Sequence, residues 1–197
     1  SYPAIVYDPD TQKVIIAFNG NSGGRAVVGA VSGNSVSFGS IALFRGAETN
    51  YNDIAYDAAN DKVVIVFRNT STTYGEAVVG TVNGSANSIS FGGEQAFNSA
   101  STMYTTVVHD ANSGKMVIGY RNSGNSHYGT AKVATVSGTS ISFGSAVVFN
   151  SNQSDYVKIA YHEAAQKVVL AYMTASPIQG ASIVAVSYTH LTLPTIE

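Results

Sequence analysis

Tyr51-Asn-Asp-Ile-Ala-Tyr-Asp57, followed after a short gap by Lys62-Val-Val-Ile-Val-Phe67, decides the fold. The pair recurs as Tyr2-Pro-Ala-Ile-Val-Tyr-Asp8 with Lys13-Val-Ile-Ile-Ala-Phe18, and as Tyr104-Thr-Thr-Val-Val-His-Asp110 with Lys115-Met-Val-Ile-Gly-Tyr120. A fourth copy reads Tyr156-Val-Lys-Ile-Ala-Tyr-His162 with Lys167-Val-Val-Leu-Ala-Tyr172. The leading tyrosines lie 49, 53 and 52 residues apart, and the lysines keep the same spacings. Two markers in one register define a structural period of about 50 residues.

Each period holds four candidate strands. In the second copy they are 52–57, 62–68, 76–82 and 88–91. Val63-Val-Ile-Val-Phe67 is apolar without alternation, which fits a strand buried on both faces. Ser88-Ile-Ser-Phe91 alternates, which fits an outer strand with one wet face. Asp8-Pro9-Asp10, Ser32-Gly33-Asn34, Asn83-Gly84-Ser85 and Ser137-Gly138-Thr139 supply turn chemistry between strands. Ala58-Ala59-Asn60 and Glu163-Ala-Ala165 are too short to nucleate a helix. Four short antiparallel strands per period is the layout of a propeller blade, whose inner strands lie between neighbouring blades. The expected fold is therefore an all-β propeller of four four-stranded meanders, over about 1–50, 51–103, 104–155 and 156–186, with a non-repeat tail at 187–197. A β-sandwich is the competitor, but it requires no 50-residue period. Val63, Ile65, Phe67, Ile15, Val117 and Val169 are expected between blades. If the ring is open, each end blade leaves an apolar face uncovered, and self-association is expected there.

Composition narrows the function. Charged residues are 11% of the 197, hydrophobic ones 45%, and the formal charge is -2. That leaves no basic footprint for nucleic acid and ample material for a core. Without cysteine there is no disulfide scaffold, thiol nucleophile or thiolate zinc site. No apolar run reaches the ~20 residues of a membrane-spanning helix. Ser1-Tyr2-Pro3 leads directly into a strand-like run, so no signal peptide is expected at this start.

The repeat lacks the Trp-Asp pairs of one propeller family, the spaced Tyr and Trp of kelch repeats, and the tryptophan of the sialidase Asp-box. Phe38-Gly39, Phe91-Gly92 and Phe143-Gly144 are similar to the Phe-Gly repeats of integrins, but the aspartate-rich calcium loop is missing. Gly129-Thr-Ala131 and Ala134-Thr-Val-Ser-Gly-Thr-Ser-Ile-Ser-Phe-Gly144 resemble more closely the tandem repeats of long surface proteins of marine bacteria and their phages. That resemblance covers residues 1 to about 186 and implies a propeller on a secreted, cell-surface or virion-fibre protein. It brings no catalytic residues. Val186-Ser-Tyr-Thr-His-Leu-Thr-Leu-Pro-Thr195 departs from the repeat and resembles the translation of a sequencing adapter. Under that reading His190 and Pro194 carry no function and the sequence stops inside its fourth repeat; the alternative is a divergent natural closing strand.

Several residues are candidates for chemistry. Asp8, Asp57 and Asp110 recur at the end of the first strand, where an aspartate accepts backbone N–H bonds of a turn. Lys13, Lys62, Lys115 and Lys167 are expected to pair with them in solvent, at ~0–1 kcal/mol each. The loops after the second strand vary between copies and share one face with the loops leading into the next copy. That rim carries Arg68, Tyr74, Arg121, His127 and Tyr128, together with Tyr51, Tyr104 and Tyr156. Aromatic faces with guanidinium and amide donors suit sugar rings or another protein. Because Tyr51, Tyr104 and Tyr156 recur, they also fit packing between blades. His109 stands where Tyr56 and Tyr161 stand in other copies, and no histidine pair has metal-ligand spacing. No metal or other cofactor is implied.

The leading expectation is thus a binding or display module, not an enzyme, that takes a glycan or protein at its variable rim, with neither nucleic acid nor membrane as partner. The alternatives are a structural spacer and a glycoside hydrolase using channel carboxylates such as Asp53 and Asp155, since glycosidases need two carboxylates facing one cleft.

Overall fold

The computed structural model describes residues 2–21, 23–187 and 191–192. Every regular element among them is a strand. The first antiparallel sheet contains β1 (Ala4–Asp8), β2 (Lys13–Gly20), β3 (Gly23–Ser32), β4 (Ser35–Phe38) and β5 (Ala42–Arg45). The second contains β6 (Thr49–Asp57), β7 (Lys62–Asn69), β8 (Gly75–Asn83), β9 (Ser88–Phe91) and β10 (Gln95–Asn98). The third contains β11 (Thr102–Asp110), β12 (Lys115–Asn122), β13 (Tyr128–Ser137) and β14 (Ser140–Phe143). Strand β15 (Val147–His162) then runs from the edge of the third sheet into the fourth. There it pairs with β16 (Lys167–Ala175), which pairs with β17 (Ile178–Ser187), and β18 (Leu191–Thr192) closes the edge.

These are the four blades of a β-propeller, stacked face to face with β1, β6, β11 and the second half of β15 innermost. One register repeats: Lys13 pairs opposite Asp8, Lys62 opposite Asp57, Lys115 opposite Asp110 and Lys167 opposite His162. The aspartates close their turns as the sequence suggests. Asp8 Oδ1 accepts from the N–H of Asp10 and Thr11, Asp57 Oδ1 from Ala59, and Asp110 Oδ1 from Asn112 and Ser113. In the fourth blade His162 Nδ1 takes over, accepting from Ala165 N–H at 3.1 Å. Lys62 and Lys115 do not behave as expected. Lys62 Nζ donates to the main-chain carbonyls of Asn60 and Asp61, and Lys115 Nζ donates to Thr135 Oγ1.

The outer strand also differs from a simple four-stranded meander. It is split, so that β4 and β5 both pair with β3, and β9 and β10 both pair with β8. The break falls at the glycine after each Phe-Gly phenylalanine. A Cβ on Gly39 would overlap the Asn87 carbonyl of the second blade, and one on Gly92 would overlap the Thr139 carbonyl of the third. The glycine lets the next blade's outer turn approach, which is why the motif recurs.

Three apolar clusters fill the three joints. Ile15, Ala17, Val28 and Phe44 of the first blade meet Ile54, Val63, Ile65 and Phe67 of the second. Val64, Val66, Val79 and Phe97 then meet Met116, Ile118 and Tyr120. Val117, Val133 and Phe149 meet Val168 and Leu170. Five of the six expected core residues are buried, but Val169 is only half-buried. It lies on the far face of the fourth sheet, opposite Val184, where no further blade packs among the described residues.

Of the 187–197 tail, Leu191–Thr192 pairs with β17, with Val186 opposite Thr192 and Ser187 opposite Leu191. His190 and Pro194 lie outside the described residues.

Candidate functional site

Three of the four innermost strands carry the same irregularity. Pairing shifts between Asn50 and Asp53 in β6, between Met103 and Thr106 in β11, and between Asp155 and Lys158 in β15. Each shift is a β-bulge holding the repeat tyrosine, with φ of 54° at Tyr51, 52° at Tyr104 and 53° at Tyr156. A left-handed conformation costs a non-glycine residue about 1–2 kcal/mol, so the surroundings impose it three times. The bulge re-aims the side chain. Instead of alternating across the sheet, the tyrosines stack on one another around the propeller axis. Ring centroids lie 4.8 Å apart for Tyr2 and Tyr51, 5.1 Å for Tyr51 and Tyr104, and 4.9 Å for Tyr104 and Tyr156.

This arc lines a cavity of about 490 Å³, within the range of small-ligand pockets. Its walls are Tyr2, Pro3, Tyr51, Asn52, Tyr104, Thr105, Tyr156, Val157 and Lys158. Asn52 is 6% exposed, and neither atom of its side-chain amide has a hydrogen-bond partner. Desolvation raises the phenol pKa of Tyr51 and Tyr104, so both stay neutral hydroxyls at physiological pH. Thr105 is committed elsewhere: its hydroxyl donates to the Tyr51 carbonyl and ties the second inner strand to the third.

The acids near the arc are also engaged. Asp53 Oδ2 accepts from Thr106 Oγ1 at 2.6 Å and from Val107 N–H at 3.0 Å, another tie between the second and third blades. Asp155 Oδ1 pairs with Arg121, and its Oδ2 accepts from Gln153 Nε2 at 2.8 Å. No aspartate or glutamate is among the described residues lining the cavity. A separate cluster joins the first two blades. Arg45 bridges Glu76 and Glu94, Asn69 Nδ2 donates to Glu76 Oε1 at 2.7 Å, and desolvation raises the Glu94 pKa.

The expected site residues therefore divide. Tyr51, Tyr104 and Tyr156 both pack on one another and line the cavity, so neither of the two readings of these residues excludes the other. Arg121 is buried, and its guanidinium lies 5.0 Å from the Tyr104 ring centroid. It braces the arc from behind. Arg68 holds the same repeat position one blade earlier, and its positive charge acts on the Tyr51 hydroxyl. Tyr74, His127 and Tyr128 are not among the lining residues. Their main chains are engaged: Tyr74 N–H donates to Thr72 Oγ1, Tyr128 N–H to the Asn125 carbonyl, and the His127 carbonyl accepts from Ser154 N–H of β15. Sequence reasoning missed Asn52 and Lys158. The available signal was their place one and two residues after the recurring tyrosine.

Compared with known proteins, the chain matches no family model and no curated protein sequence. Among solved structures it resembles an exo-β-1,3-galactanase from Phanerochaete chrysosporium bound to β-1,3-galactotriose, with a TM-score of 0.58 and 8% identity. The match covers 92% of this chain and 45% of the galactanase, so the chain spans under half of that protein's length. An α-L-arabinofuranosidase from Clostridium thermocellum matches with a TM-score of 0.49 and 10% identity, over 93% of this chain and 67% of the other. At such identity the galactanase likeness is one of fold. It still corrects the expectation that the chain is not an enzyme. The shared fold carries a glycosidase, and the lack of a thiol nucleophile says nothing about carboxylate chemistry.

Proposed function

We propose that this propeller acts on glycans, with a saccharide bound in the axial cavity against the tyrosine arc. The observation that carries the reading is the buried Asn52 amide, whose donor and acceptor both lack partners in an aromatic-lined wall. Burying such a group unpaired costs about 1–3 kcal/mol, which a ligand that satisfies both atoms recovers. A sugar hydroxyl donates and accepts at once, and a sugar's C–H face packs on tyrosine rings. The galactanase fold, seen with a galactotriose, supports a saccharide over a peptide. The likeness of the repeats to bacterial and phage surface proteins supports a place outside the cell or on a virion.

Glycoside cleavage is the second reading, and the galactanase likeness favours it. Asp53 and Asp155 are the acids beside the arc, and turnover would require one of them to exchange its present partners for substrate. Calorimetric titration with β-1,3-galactotriose, paired with chromatography of the products, tests both readings. Binding that Asn52→Ala abolishes supports the site. Product release that Asp53→Asn abolishes makes the site catalytic. A folded protein that neither binds nor cleaves any saccharide offered overturns the proposal.

A further inference from the structure

Resting on the glycan reading above, we propose that the saccharide is anionic and seats a carboxylate or sulfate on Lys158, within the field of Arg68. The cavity's charge inventory carries this inference. Among the described residues lining the cavity, Lys158 alone is charged. It occupies the repeat position held by Asp53 in the second blade and Thr106 in the third, both of which are spent on a blade joint. Lys158 is exposed and makes no ion pair among the described residues.

Arg68 gives the second, independent cation. Arg121, one repeat later, is neutralised by Asp155 of the next blade. The position equivalent to Asp155 in the blade after Arg68 is Met103, which carries no charge. Arg68 accordingly forms no ion pair among the described residues, and its Nε is buried without a hydrogen-bond partner. Lys158 thus lines the cavity without an answering acid, and Arg68, outside the lining, adds unpaired positive charge near Tyr51, while Asp53 and Asp155 are occupied. This local excess arises in a chain whose formal charge is -2, so overall charge does not explain it. An anionic sugar supplies what the cavity lacks: a ring for the tyrosines, a hydroxyl for Asn52 and an anion for Lys158. Hydrogen bonds to a charged group are roughly twice as strong as neutral ones.

Calorimetry with three trisaccharide-sized probes tests the inference: neutral β-1,3-galactotriose, trigalacturonate as the carboxylate, and a sulfated galactan oligomer as the sulfate. The anionic probe that fits should bind about tenfold or more tighter than the neutral one, the equivalent of one charge-assisted contact. Lys158→Gln should remove most of that preference, and about 0.5 M salt should weaken the anionic probe far more than the neutral one. The tighter of the two anionic probes identifies the source of the charge. Equal affinity for neutral and anionic probes, or a preference that survives in Lys158→Gln, overturns the inference and leaves the glycan site standing. Failure of all three probes to bind the folded protein overturns the glycan reading itself.

Discussion

Ile54 is 5% exposed; Ile5, at the same position one repeat earlier, is 63% exposed. The contrast continues along the edges of the same face. In the second blade, Ile54, Val63, Ile65, Val78 and Ile89 press onto the first blade. Their counterparts in the first blade are Ile5, Val14, Ile16, Val27 and Val36; Ile5 and Val36 are exposed, Val14 and Ile16 half-buried and Val27 buried, and among the described residues no other blade is applied to this face. Tyr7, Val31 and Phe38 extend it and are exposed. The far face of the fourth blade is open too, but milder, with Ala160, Val169, Ala171 and Val184 where the second blade has Ala55, Val64, Val66 and Val79. Near-identical sequence thus meets two environments. What differs is the presence of a neighbour, so the energy of these side chains resides in the joint between blades.

Truncating one position in two repeats tests this most strongly. Ile54→Ala should destabilise by about 2–5 kcal/mol, as emptied core sites do, and Ile65→Ala should do the same. Ile5→Ala should change stability by less than about 0.5 kcal/mol. Denaturant titration of the three variants checks it; equal losses at Ile5 and Ile54 would mean that the first blade is covered after all.

The Phe-Gly breaks give a second, somewhat smaller contrast. Gly39→Ala and Gly92→Ala place a methyl against a carbonyl of the next blade and should cost about 1–3 kcal/mol by overpacking. Gly93→Ala, whose Cβ would meet nothing, should be near neutral. Thermal melts of the three separate a joint effect from a general intolerance of alanine in this loop.

The open faces themselves can be read in solution. If they pair, as expected for an open arc, sedimentation should show mass rising with concentration. Ile5→Asp should hold the chain at monomer mass without lowering its melting temperature. A strict monomer in both would show the exposed face to be tolerated alone.

The smallest effect concerns pH. His109 lies in the joint between the second and third blades, where desolvation outweighs the pull of Asp57 and Asp110 and lowers its pKa from 6.5. The unfolded chain then binds the proton more readily than the folded one. This site's contribution is complete above pH 6.5 and is lost as pH falls below it. His109→Tyr, the residue of the second and fourth blades, should remove that slope. Melting temperatures between about pH 7.5 and 5.5 should fall less for the variant than for the parent, and parallel curves would refute the assignment.

Much of the fold was legible because it is written in local chemistry. The 50-residue period, the unbroken apolar runs at Val63–Phe67, and the turn aspartates each follow from residues close together in the chain. So does the alternation of Ser88–Phe91 at the outer edge. The site was half legible: recurrence singled out Tyr51, Tyr104 and Tyr156, but it fitted packing as well as binding. Variation drew attention to Tyr74, His127 and Tyr128, which are not among the described residues lining the cavity.

What remained was decided by contacts between residues about one repeat apart. The bulge that turns each tyrosine toward the axis shows only in the pairing register. The split outer strand depends on a carbonyl of the next blade. Asn52 is a polar residue in a strand until three other blades close a cavity around it. Repeat position sets which strand a side chain belongs to. The place of its blade in the arc sets what it touches, and therefore whether Ile5 is core or surface, and whether Arg68 or Arg121 finds an acid.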